Sequence, residues 1–179
     1  MIDSKTVQQL RTETGAGVMD CKRALEETKG DLEAARDLLR QKGLAAAAKR
    51  SGREAREGVV ESYIHSGGRI GALVELSSET DFVARNPDFR ELARNIAMQV
   101  AAMSPLVVSE DELTQDARAE LLKEHGEEKK ALDAAVLLRQ PYIRDNSKTI
   151  GELVTAIAAS TGENVQVRRF ARFQLGEAA

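Results

Sequence analysis

The chain has 179 residues, 42% of them hydrophobic, and a formal net charge of -3. That apolar content supplies a packed core and excludes wholesale disorder, in one ordinary domain or a small domain beside a medium one. The near-neutral charge gives no bulk electrostatic reason for a nucleic-acid partner, and the single cysteine, Cys21, excludes an intrachain disulfide and fits a reducing compartment.

The first five residues lack the charged-then-apolar order of a secretion signal. The most apolar stretch, residues 96–103, falls well short of the roughly 20 needed to cross a bilayer. A cytoplasmic protein without a membrane span is expected. Three short helices open the chain. Ser4 is the expected cap of the first, which carries Val7, Leu10 and Arg11 and stops at Gly15-Ala16-Gly17. The second carries Val18, Cys21, Ala24 and Leu25 and ends near Gly30. Asp31 caps the third, which presents Leu32, Ala35, Leu38 and Leu39 before Gly43. Spacings of three and four place these apolar groups on one stripe of each helix. So small a bundle buries little surface and is marginally stable, which suits a docking knob.

Composition changes over residues 45–57, where four alanines precede Lys49, Arg50, Arg53 and Arg56. This is a helical or extended linker. Its charge also opens a nucleic-acid reading, but Glu54 and Glu57 interrupt it and no aromatic is interleaved for base stacking. Residues 59–65 and 69–77 then read as two strands around Ser66-Gly67-Gly68, where glycine permits a tight turn. Ile70, Ala72, Val74 and Leu76 alternate as in a strand with one buried face. The first run alternates less cleanly and leaves the register open.

After a polar connection over residues 78–85, Asn86-Pro87-Asp88 supplies a cap, a first-turn proline and an early acid. The helix they start has Phe89, Leu92, Ala93, Ile96, Val100 and Met103 as its buried stripe and ends at Ser104-Pro105. Residues 109–139 are charged and helical in propensity, broken at Gly126, with Leu121, Leu122, Leu132 and Val136 lying on a core. Thr149 and Glu152 form a capping box for a helix with Ile150, Leu153, Val154 and Ile157, closed by Gly162. Residues 165–175 read as a last strand with Val165, Val167, Ala171, Phe173 and Leu175 on one side. Arg169 spoils that side, which leaves a bulge or an edge position open. The order predicts an α+β fold: a three-helix bundle, then a small antiparallel sheet of about three strands with helices on one face.

Catalytic chemistry is not legible. His65 and His125 have no metal-binding spacing, and Cys21 on an apolar stripe reads as a packing residue. No phosphate-binding glycine loop is present. What stands out is Ser78-Glu79-Thr80-Asp81-Phe82-Val83-Ala84-Arg85. Only 3% of the chain is aromatic, yet a phenylalanine and a valine sit in a polar connection between a strand and a helix. Loops raised from rigid scaffolds concentrate binding residues; alternatively Phe82 folds back to plug its own core.

The segment Leu10-Arg11-Thr12-Glu13-Thr14-Gly15-Ala16-Gly17-Val18-Met19-Asp20-Cys21-Lys22-Arg23-Ala24-Leu25 resembles the N-terminal signature of the translation elongation factor Ts family. Thr80-Asp81-Phe82-Val83-Ala84 is similar to the second signature of that family, in the same order and at the expected separation. The end of the chain, from Gln140-Pro141 through Val167-Arg168-Arg169-Phe170 to Phe173 and Gly176, is similar to its C-terminal stretch. The resemblance implies a guanine nucleotide exchange factor for elongation factor Tu, the GTPase that delivers aminoacyl-tRNA to the ribosome. It implies no enzymatic chemistry, cofactor or metal of the chain's own. It also implies a ubiquitin-associated-like N-terminal domain (residues 1–45), a basic linker (46–57) and an α+β core (58–179).

Carried over by position, Thr80, Asp81, Phe82 and Val83 would reach toward the partner's magnesium and phosphate site, with Phe82 as the wedge. Arg11, Val18 and Met19 would touch the partner's GTP-binding domain. The family usually has methionine where Val18 stands and commonly cysteine where Ser78 stands. Many members carry a second lobe and a coiled coil where this chain has only residues 104–139, so a homodimer supplying the missing lobe is expected. Two other readings are an RNA-binding factor using residues 49–56 with Arg168, Arg169 and Arg172, and a ubiquitin-associated-type adaptor that leaves GDP release unchanged.

Overall fold

The computed structural model describes residues 2–177; Met1, Ala178 and Ala179, at the outer ends of the expected first domain and core, lie outside the described residues. Helices α1 (Ser4–Thr14), α2 (Val18–Glu27) and α3 (Leu32–Arg50) form the N-terminal bundle. Leu10, Cys21, Ala24, Leu25 and Ala35 are sealed inside it, flanked by Ile2, Val7, Ala16, Leu32, Leu38 and Leu39. Asp31 caps α3 as expected, its carboxylate accepting from the Glu33 and Ala34 amides. Ser4 does not cap α1. The helix starts one residue earlier, the Asp3 carbonyl accepting from the Val7 amide, so Ser4 is already helical.

Helix α3 was expected to stop at Gly43 and instead continues to Arg50. A mid-helix glycine costs about 1 kcal/mol relative to alanine. Here its missing side chain is a packing gap: a Cβ on Gly43 would stand 3.4 Å from the Ala159 Cβ on α8 (Ile150–Thr161). The Arg40–Glu152 ion pair at 3.1 Å and the bond from Arg50 Nη1 to the Ala158 carbonyl at 3.2 Å hold the two helices together. Ala45 to Ala48, strong helix formers, carry α3 through.

The core sheet has the order β1-β2-β5, with β1 (Glu57–Ile64) and β5 (Gln166–Gln174) both antiparallel to β2 (Ile70–Ser78). The hairpin register, open in the sequence, runs from Glu57 opposite Ser78 to Ile64 opposite Gly71. Between β2 and β5 it shifts: Leu76 faces Val167 but Glu75 faces Arg169, leaving Arg168 as the extra residue of a bulge. A bulge reverses which residues point inward. Val165 and Val167 are therefore buried, but beyond them Phe170 packs on the core and Ala171, Phe173 and Leu175 turn outward. The expected one-sided row of Val165, Val167, Ala171, Phe173 and Leu175 holds only for its first two members.

Helix α5 (Pro87–Met103) lies on the inner face of the sheet with α8 beside it, and Asn86 caps α5 by accepting from the Asp88 amide. Phe89, Leu92, Ala93, Ile96 and Val100 are buried as expected, whereas Met103, in the last turn, is exposed. Residues 104–149 form α6 (Gln115–His125), α7 (Glu128–Ala135), two single 3-10 turns and a short hairpin of β3 (Pro141–Tyr142) and β4 (Asp145–Thr149). Leu121, Leu132 and Val136 are buried there, but Leu122 faces out. A buried amide pair fastens this region to α5. Gln99 Nε2 donates to Gln140 Oε1 and to the Pro141 carbonyl, both at 3.1 Å, and Gln99 Oε1 accepts from the Ile143 amide at 3.0 Å. Gln140 Nε2 donates to the Ala134 carbonyl at 2.8 Å. Among the described residues no helix is long and apolar enough to cross a membrane.

Candidate functional site

Strand β2 ends at Ser78, which is buried and donates its hydroxyl to the Thr80 carbonyl at 3.0 Å. The connection beyond it, expected as a loop, contains a single helical turn, α4 (Asp81–Ala84), before Asn86 starts α5. The Thr80 carbonyl accepts from Ala84 at 3.3 Å, the Asp81 carbonyl from Arg85 at 3.1 Å and the Val83 carbonyl from Asn86 at 2.9 Å. Successive helical residues point about 100° apart, so one turn between a sheet and a helix has an inner and an outer side. Val83 at 9% exposure and Ala84 at 6% fill the main core. Phe82 is thereby driven outward to 81% exposure, the highest of the exposed large apolar residues among those described. Asp81 is half-buried and pairs with Arg85 at 2.7 Å. The two alternatives left by the sequence are thus separated: Val83 anchors the turn, and Phe82 leaves it.

A carboxylate the sequence did not single out holds the base of this turn. Glu163, just past the end of α8 at Gly162, accepts from the Glu79 and Thr80 amides at 3.0 Å each and from the Thr80 hydroxyl at 2.6 Å. Glu79 in turn accepts from the Asn164 amide at 2.6 Å. Glu163 and Asn164 lie 83 to 85 residues along the chain from the residues they hold, so local spacing carries no trace of them.

On the N-terminal bundle, Arg11 lies exposed in the last turn of α1, while Val18 (46% exposed) and Met19 (63%) open α2. The turn at Gly15-Ala16-Gly17 puts these three at the same end of the helix pair. Cys21 is buried in the core of the bundle. A third apolar surface is the outer face of the sheet, where Val60, Ile64, Leu73, Phe173 and Leu175 are exposed. Ile64, Gly71 and Phe173 form one row across three strands, and the Ile64 Cδ1 methyl leans over Gly71, 2.6 Å from where a Cβ would stand.

The arginines that opened the nucleic-acid reading are largely engaged. Arg53 pairs with Glu79, Arg56 with Glu54, Arg169 with Glu75 and Arg172 with Glu177. Such pairing leaves less positive charge free for phosphates. The described residues contain no group of three histidine, cysteine or acidic side chains able to hold a metal. The His65 ring meets the Tyr63 hydroxyl at 3.0 Å.

A family model described as elongation factor Ts matches residues 45–177. A protein of that name from Desulforamulus reducens is 50% identical over 98% of this chain and 90% of its own length. One from Carboxydothermus hydrogenoformans is 50% identical over 99% and 90%, and one from Caldanaerobacter subterraneus is 48% identical over 99% and 98%. The chain belongs to the elongation factor Ts family.

Proposed function

We propose that this protein is a guanine nucleotide exchange factor for elongation factor Tu in the cytoplasm, acting during translation elongation by protein binding with no covalent chemistry of its own. The observation that carries the reading is Phe82: an exposed ring on a turn whose next two residues are locked in the core. Residues 1–45 are the docking domain, 46–57 the linker, whose first part continues α3 to Arg50, and 58–179 the exchange core. Arg11, Val18 and Met19 grip the partner's GTP-binding domain, and Thr80, Asp81 and Phe82 enter beside its magnesium and phosphates, with Val83 as their root.

The physics favours a wedge. A phosphate-binding loop holds diphosphate through backbone N–H groups while Mg²⁺ neutralises its charge. Magnesium tolerates little distortion of its octahedral shell. A ring driven between the elements that position its ligands weakens ion and nucleotide together. Linkage makes this reciprocal: GDP weakens the grip of this protein by the same factor. Burial of one ring supplies about 1.5–3 kcal/mol, too little to hold a distorted partner alone, so the N-terminal contacts anchor the complex. Stopped-flow release of fluorescent GDP from purified elongation factor Tu tests the reading: the chain accelerates release, and an unchanged rate refutes it in favour of an adaptor.

The outer sheet face supports a homodimer. Five exposed apolar side chains on a broad, uncovered sheet are what a second copy of this half-sized core would bury. Phe173→Asp on that face is expected to convert a dimer at micromolar concentration into a monomer in sedimentation equilibrium. A parent chain that sediments as a monomer contradicts this assembly.

A further inference from the structure

Thr80 occupies the N-cap of α4, where a threonine hydroxyl ordinarily accepts from a helix amide. It makes no such bond. Its hydroxyl is donated to Glu163 instead, and the same carboxylate takes the Glu79 and Thr80 amides that lie past the last ladder pair of β2. The start of α4 is therefore set by a contact from the α8–β5 turn, and Phe82 sits two residues beyond it.

Asn164, buried, extends the contact. Its amide N–H donates to Glu79 Oε1, and its Nδ2 donates to the carbonyls of Ser51 at 3.3 Å and Arg53 at 2.7 Å. Arg53 reaches the same Glu79 carboxylate at 3.5 Å. Residues 51–53 are where the chain leaves α3, the helix that joins the N-terminal bundle to the core. One network thus holds the exit of α3, the turn after α8 and the base of the Phe82 turn.

We propose that Glu163 is a positioning residue for exchange, fixing the angle at which Phe82 leaves the core, and that Asn164 ties that angle to the segment through which the docking domain is attached. The proposal rests on Phe82 entering the partner. Glu163 lies behind the turn, holding Thr80 from the α8–β5 side, so its loss moves the presentation of the ring and leaves the N-terminal anchors untouched.

The test is a titration of GDP release from elongation factor Tu by the parent, Glu163→Ala, Glu163→Gln and Phe82→Ala, with amide hydrogen exchange on the free proteins. For Glu163→Ala the maximal release rate is expected to fall about tenfold, the half-saturating concentration to stay within about threefold, and exchange at the Glu79 and Thr80 amides to speed up about tenfold. Glu163→Gln is expected to keep the parental rate within about threefold, because its amide oxygen still accepts both N–H groups and its nitrogen can donate to the Thr80 hydroxyl oxygen. Should Glu163→Ala melt below the assay temperature, Glu163→Asp, one methylene short of its donors, takes its place with the same expectation. A Glu163→Ala rate equal to the parent, or a Glu163→Gln rate as low as Glu163→Ala, overturns the proposal. Slow Phe82→Ala with parental Glu163→Ala removes the positioning role alone; parental Phe82→Ala removes the reading beneath it.

Discussion

Truncating Phe82 to alanine separates its functional part from any structural one. The ring is 81% exposed, so its removal takes almost no buried surface from the free protein. Surface changes of this kind shift stability by less than about 0.5 kcal/mol, and the melting temperature of Phe82→Ala should match the parent within about 2 °C. In the proposed complex the same ring is buried. Forfeiting about 1.5–3 kcal/mol in the state where GDP is loosened slows maximal release by about 10- to 150-fold. Binding to nucleotide-free elongation factor Tu should weaken by no more than that factor, because Arg11, Val18 and Met19 remain. Stopped-flow release of fluorescent GDP, titrated to saturation with each variant, reads both quantities. Parental release by Phe82→Ala refutes the wedge; a large drop in melting temperature refutes the outward ring.

Three further outcomes follow from the packing. Gln99→Leu orphans Gln140 Oε1, the Pro141 carbonyl and the Ile143 amide, so it should destabilise by about 2–4 kcal/mol, and an unchanged melting temperature would refute the buried pair as a fastener. Gly58 has φ +147° and a Cβ there would stand 2.1 Å from the Leu76 carbonyl oxygen; Gly58→Ala should cost about 3 kcal/mol, seen in urea unfolding, and a loss below about 1 kcal/mol would contradict the close approach. The Arg36 guanidinium, with help from Gln9, holds the Glu13 carboxyl below its usual range. A depressed folded-state value means that this tie between α1 and α3 is present above the ordinary value of 4.5 and is lost as pH falls through the lower folded one. The melting difference between parent and Glu13→Gln, measured from neutral pH downward, should therefore vanish in acid, and a pH-independent difference would show that the ion pair is not its source.

Local signals carried most of the fold. Asp31, Asn86 and the Thr149–Glu152 pair mark helix starts because capping needs only neighbours in sequence, and each does cap. Alternation along Ile70, Ala72, Val74 and Leu76 fixed the inner face of β2 for the same reason. Where a distant element decides, the sequence was mute. Gly43 reads as a stop until α8 is beside it. The parity of β5 depends on a bulge defined only by pairing with Glu75 and Leu76. Residues 140–143 are fastened by Gln99 on another helix. The candidate site divides in the same way. Phe82 was visible as an aromatic in polar company, but its direction came from one helical turn rooted by Val83 and Ala84, and its support came from Glu163.

The claim beneath all of this is that Phe82 enters elongation factor Tu beside the bound magnesium and phosphates. Replacing Phe82 with a photoreactive benzoyl-phenylalanine, irradiating the complex and mapping the cross-linked peptide tests it most directly. The expected cross-link lies in the segments of elongation factor Tu that line its magnesium and phosphate site. A cross-link confined to any other surface of elongation factor Tu, or to a second copy of this chain, would contradict it.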